Sequence, residues 1–273
     1  MKQATTVLIS NFSEKGENKE GIQSLLDQLT GHQVHVISCD FAKDEIALET
    51  RNWLTFHQNG VAAVYPVKSK KRRSGRSEVV FETLEAAGIC VEAVVDYTEA
   101  EEEGCYLEGT RSMVLDKVNE IAYASISMHT DESLFIEFCE DFEYTPIVFS
   151  SVDELEEPVS YTSDILFVGD SVAMIASSYI QDKKERKLVL NQLKNSGKKI
   201  IYLNKNQVNK GVTATLQVNN TSGEQLFFMA ESAYESLHPE QITTLMEYGR
   251  IVALEKLPAA CTKFRNFAMG IEL

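Results

Sequence analysis

The stretch CYLEGTRSMVLDKVNEIAYASIS, residues 105–127, places one carboxylate, Glu108, inside an apolar run. Burying an unpaired carboxylate ion costs several kcal/mol. Glu108 therefore either meets hydrogen-bond donors for a chemical purpose or serves locally, capping a turn or pairing with an arginine. The other reactive side chains are sparse. Cys39, Cys90, Cys105, Cys139 and Cys261 are odd in number and contain no CxxC pair, a pattern of reduced thiols rather than of a disulfide framework or a zinc site. His129 lies just beyond the hairpin that Glu108 opens, whereas His32, His35, His57 and His238 fall at element junctions or on strands and read as structural. The basic run KSKKRRSGR, residues 68–76, reads either as a solvated loop between a strand and a helix or as an anion site. No metal and no cofactor is expected.

The elements that must position these residues repeat. Residues 105–150 give a hairpin, an amphipathic helix from about Asp131 behind Thr130 as N-cap, and the strand TPIVFSS. The same order returns in DILFVGDSVAMIASSYI, a helix over 183–195 ending at Gly197, and KKIIYLN; it returns again in ATLQVNNTSGEQLFFMA, a helix over 239–248 and RIVALEKL. Upstream, NWLTFHQNGVAAVYPV, a helix over 77–87 closed by Gly88, and CVEAVVDY make another unit. At the N-terminus VLISNF, a helix near 20–29 and VHVISCD lack a hairpin partner, which the C-terminal KFRNFAMGIEL can supply.

Hairpins recurring about every 55 residues indicate an internal repeat. Five strand-strand-helix-strand units, the last closed by both termini, predict an α/β fold: a five-bladed α/β propeller, one domain over residues 1–273. The first strand of each unit then faces an axial cavity, with Glu108 on such a strand.

Composition excludes some functions. With 41 acids against 26 bases the formal charge is −15, which argues against nucleic acid or an anionic membrane as partner. The start MKQATTVLIS has no signal-peptide apolar segment, and no run reaches a membrane span; a cytoplasmic location is expected.

YLEGTRSMVLD followed by IAYASISMHTDES resembles LEGTGSxVLD and IAYACLSPRTDE of the amidinotransferase and arginine deiminase superfamily, and most of all its citrulline-hydrolase-like branch. RNWLTFHQNGVAAVYPV resembles that branch's NNWISFH segment, and LFFMAESAYESLHPEQI its late hairpin and helix. The resemblance implies a five-bladed α/β propeller acting on guanidino or ureido carbons. It implies a cysteine nucleophile, a histidine proton shuttle and carboxylates that hold the substrate cation. Glu108 matches the glutamate of LEGT.

The other two roles do not carry over. The family's PIYHTN reads PVSYTSD, with Tyr161 in the histidine's place and Ser163 in the asparagine's. Its GGGSxRC reads ACTKFRN, which keeps Arg265 and puts Asn266 where the nucleophile belongs. Arg111 stands at a glycine, His129 at an arginine and Arg51 at the first asparagine of NNW, while Asn52 persists. The expectation is a catalytically inactive relative that binds a small ligand or a protein partner, with Arg51, Asn52, Arg111, His129, Ser163 and Arg265 as binding residues. The alternative is an active hydrolase on arginine or citrulline that uses a relocated pair, Cys261 with His129.

Overall fold

The computed structural model describes residues 5–12, 17–41, 50–255, 257 and 268–271. Among these, fifteen strands form five sheets of three. In chain order they are β1 (Thr6–Phe12), β2 (His35–Phe41), β3 (Leu54–His57), β4 (Val61–Val64), β5 (Ala93–Asp96), β6 (Met113–Asp116), β7 (Ile121–Ser125) and β8 (Thr145–Phe149). They continue with β9 (Leu166–Val168), β10 (Val172–Ile175), β11 (Lys199–Tyr202), β12 (Leu216–Asn219), β13 (Gln225–Ala230), β14 (Arg250–Leu254) and β15 (Ala268–Ile271).

Each sheet combines an antiparallel pair with a third strand parallel to the middle one. A parallel neighbour requires a crossover, and the helices Glu17–Gly31, Val79–Ala86, Glu132–Asp141, Lys183–Asn195 and Pro239–Met246 supply it. The ring closes through the termini: β15 pairs antiparallel with β1, Thr6 opposite Ile271 and Ile9 opposite Ala268. The five-bladed α/β propeller read from the repeat is the fold observed. Residues from β3, β6, β9, β12 and β15 together line an axial cavity of about 640 Å³.

Apolar spacing explains the packing. In Glu132–Asp141, Leu134, Phe135, Phe138 and Cys139 share one face and are buried against Ala122, Ala124, Tyr65 and Leu107. The N-cap is Asp131, whose carboxylate accepts from the Leu134 backbone N–H, rather than Thr130. Aspartate wins because its short carboxylate reaches that amide with a full charge at the helix N-terminus.

Two further expectations need correction. Glu108 does not lie on a strand: residues Gly109–Ser112 make a helical turn, and β6 begins only at Met113. Gly109 sits at φ +50°, where a side-chain Cβ would fall on the Arg51 carbonyl oxygen, so the turn is packed directly against the Thr50–Trp53 segment. The basic run is not a merely solvated loop. Residues Lys70–Gly75 form 3₁₀ turns, and Arg73 and Arg76 both pair with Glu101, whose Oε1 also accepts the Val67 N–H at 2.7 Å.

Candidate functional site

The turn at Gly109–Ser112 aims Glu108 inward, and its backbone holds it there. The Glu108 N–H donates to Ser112 Oγ at 2.9 Å, and Ser112 Oγ donates to the His129 carbonyl at 2.6 Å. The Arg111 N–H donates to the Glu108 carbonyl at 3.2 Å. The Ser112 hydroxyl, together with the Glu108 N–H that also donates to the His129 carbonyl at 3.3 Å, ties the Glu108 turn to the His129 loop.

Four donors reach the buried Glu108 carboxylate. Oε1 accepts from the Lys68 backbone N–H at 3.1 Å and from His129 Nδ1 at 2.8 Å; Oε2 accepts from Asn52 Nδ2 at 2.8 Å and from Tyr161 Oη at 2.8 Å. The Asn52 amide is oriented by this contact, since a flip would face two acceptor oxygens. The Tyr161 ring tilts against the His129 ring with centroids 4.8 Å apart, and the Arg111 guanidinium lies over the Tyr161 ring, its Cζ 3.7 Å from the centroid. Arg111 Nη2 also stands 4.0 Å from Asp164 Oδ2.

Electrostatics follow from these contacts. Burial by itself raises the pKa of Glu108, but the hydrogen bonds from His129 and Tyr161, the His129 charge and the Lys68 N–H outweigh it and leave it below the ordinary carboxylate value. Burial and the negative charge of Glu108 raise Tyr161 well above the usual phenol range, against the opposing pull of Arg111. The pair at neutral pH is thus a carboxylate ion and a protonated phenol. Among the described residues no cluster of histidine, cysteine and acid side chains could hold a metal ion.

The family profile described as N,N dimethylarginine dimethylhydrolase, eukaryotic, matches residues 16–256. The chain belongs to this family. Solved structures at low sequence identity share its fold. An apo arginine dihydrolase, ArgZ, of the ornithine-ammonia cycle in cyanobacteria superposes with TM-score 0.75 at 10% identity, over 99% of this chain and 40% of that one. This chain therefore spans less than half of the full arginine dihydrolase. The substrate-bound N-terminal domain of ArgZ superposes with TM-score 0.71 at 11% identity over 97% of both chains. A dimethylarginine dimethylaminohydrolase carrying a chlorinated pyridine adduct matches with TM-score 0.65 at 9% identity, over 98% of this chain and all of that one. No curated protein matches the sequence.

Within this dimethylhydrolase family member, Glu108, Asn52, His129 and Tyr161 form one hydrogen-bonded cluster, and Arg111 stacks on it. Arg51 turns elsewhere: Nε donates to Thr110 Oγ1 at 3.1 Å and Nη2 to the Thr110 carbonyl at 2.7 Å, on the wall of the axial cavity. Ser163 is buried in the 3₁₀ turn Thr162–Asp164 that follows Tyr161. Cys261, Arg265 and Asn266 lie outside the described residues. Sequence reasoning did not single out Ser112 or Lys68. Ser112 could have been found from its position four residues after Glu108 in a tight turn; Lys68 contributes only its backbone N–H, which no side-chain pattern announces.

Proposed function

We propose that this chain recognises a small ligand without hydrolysing it, and that Glu108 organises the site instead of gripping a substrate cation. The observation that carries this reading is the saturation of the carboxylate. An ionised glutamate offers about four lone-pair positions, and Lys68, His129, Asn52 and Tyr161 already donate to its two oxygens. A guanidinium would have to displace at least two of these donors and leave them buried without partners, at about 1–3 kcal/mol each. Tyr161, protonated at neutral pH, supplies no base. Three of the described thiols are no better placed as nucleophiles: burial raises Cys139 to about 12 and also raises Cys105, and a hydrogen bond with Glu92 raises Cys90.

One contact favours a second reading. His129 Nδ1 lies 2.8 Å from Glu108 Oε1, so in the neutral ring the Nδ1 proton is held by the carboxylate and Nε2 is left as an acceptor. A carboxylate-imidazole pair of this kind can move a proton. With Cys261 as nucleophile it would make the chain a hydrolase of N,N-dimethylarginine, arginine or citrulline.

The test is a turnover assay of the purified chain with those three compounds, following released amine and ammonia and formed citrulline or ornithine. The first reading predicts no product above buffer. Turnover on the order of 1 s⁻¹, within the ordinary enzyme range, that disappears in both His129→Ala and Cys261→Ser supports the second and removes the first.

A further inference from the structure

Two neighbouring backbone amides donate to two different carboxylates. The Val67 N–H donates to Glu101 Oε1 at 2.7 Å, and the Lys68 N–H donates to Glu108 Oε1 at 3.1 Å. Only the φ and ψ of Val67 separate the two amide planes. What fixes Val67 therefore fixes the donor that reaches Glu108.

Glu101 does more than receive the Val67 amide. It lies in the short helical turn Ala100–Glu103, its side chain 10% exposed, and it pairs with Arg73 Nε through Oε2 at 3.1 Å and with Arg76 Nη2 through Oε1. Both arginines return to the chain just before them. Arg73 Nε also donates to the Val67 carbonyl at 2.8 Å, and Arg76 Nη2 donates to the Tyr65 carbonyl at 3.0 Å. One carboxylate, through charge-assisted hydrogen bonds, thus fastens both ends of residues 67–76 as a strap. The middle of the strap is exposed at Lys70 and Lys71, and the charge of Arg72 acts on Tyr161. The other contacts of Glu108 come from Asn52, His129 and Tyr161, with Arg111 against the Tyr161 ring.

We propose that Glu101 is a positioning residue of the Glu108 site. By holding the strap through Arg73, Arg76 and the Val67 N–H, it keeps the Lys68 N–H on the Glu108 carboxylate. The inference deepens the proposed function, on which it rests, by naming what holds one of the four donors in place. A direct effect of the Glu101 charge has the opposite sign. Removing a nearby negative charge favours the ionised form of Glu108 and lowers its titration midpoint, whereas losing the Lys68 donor disfavours that form and raises the midpoint.

The experiment follows the Glu108 side-chain carboxyl by carbon NMR from acidic to neutral pH, its resonance assigned by its loss in Glu108→Gln, together with amide hydrogen exchange at Lys68. Glu101→Gln should raise the Glu108 midpoint by about half a pH unit or more and speed Lys68 exchange about tenfold. Glu101→Asp keeps the charge but shortens the reach; it should move both readouts in the same direction, and it decides if Glu101→Gln does not fold. Glu224→Gln, which breaks the exposed pair with Arg250 on another blade, should move neither. A midpoint that falls or stays unchanged in the Glu101 variants, a rise without faster Lys68 exchange, or an equal rise in Glu224→Gln overturns the proposal. None of these readouts uses a ligand or turnover, so hydrolysis of arginine would remove the proposed function and leave the role of Glu101 standing.

Discussion

At the scale of single residues, four donors around one carboxylate make a network that tolerates little change. In Glu108→Gln the new amide must turn an N–H₂ group toward Asn52 and Tyr161 or toward Lys68 and His129, all of which donate now. The expected cost is about 2–3 kcal/mol, measurable by denaturant unfolding. Tyr161→Phe removes one donor and is expected to cost less, about 1 kcal/mol. The same network sets a pH dependence. Because the folded pKa of Glu108 lies below its ordinary 4.5, its contribution is fully present above that value and is lost as pH falls beneath it. Unfolding free energy measured from pH 6 to 3 should therefore fall less steeply below about pH 4.5 in Glu108→Gln than in the wild type. The burden on Glu108 was legible from one acid in an apolar run. The convergence of Tyr161 on it came from a family resemblance, and the Lys68 N–H was not legible at all, because a backbone donor leaves no mark in a sequence.

At the scale of elements, units are joined by side chains that cross from one blade to the next. His57, at the end of β3, stacks on Phe142 beyond the helix Glu132–Asp141, with ring centroids 4.0 Å apart. Its Nε2 lies 2.6 Å from Thr55 Oγ1, which in turn lies 2.6 Å from Tyr65 Oη. Burial first, and the Lys117 charge second, lower its pKa from 6.5 to about 3. The unfolded chain then takes up a proton at His57 before the folded chain does, so this stabilisation is complete above pH 6.5 and is lost progressively as pH falls toward 3. His57→Phe should flatten the stability profile across that window while keeping the stack on Phe142; an unchanged acid limb would show that His57 titrates normally in the fold. Hairpins and helices were readable from period-2 and period-3.6 spacing and from Gly88 and Gly197, both at positive φ just after their helices. The turn Gly109–Ser112 was not, since four residues carry no periodicity.

At the scale of the whole molecule, the ring depends on contacts between blades as much as on the sheets. Lys198 Nζ bonds Asp116 Oδ1 and the Asp170 carbonyl, each at 2.8 Å, which ties β6 to the following blade with both charged side chains almost fully buried. Lys198→Met leaves the Asp116 charge without its cation and should cost about 3–5 kcal/mol, whereas adding Asp116→Leu should recover most of the loss; paired denaturant curves decide this, and equal losses in both variants would contradict it. The ring itself was legible from hairpins recurring about every 55 residues, because each blade repeats the same strand and helix periods even where no residue repeats. The pair Lys198 and Asp116 was not legible, being 82 residues apart. The central question for the molecule is whether Glu108, held by four of its own protein's donors, still binds a guanidinium. Calorimetric titration of the wild type and Glu108→Gln with N,N-dimethylarginine near pH 7.5 measures this directly. No saturable heat is expected with either protein; a saturable isotherm in the wild type that Glu108→Gln weakens by about tenfold or more would show that Glu108 grips the cation after all.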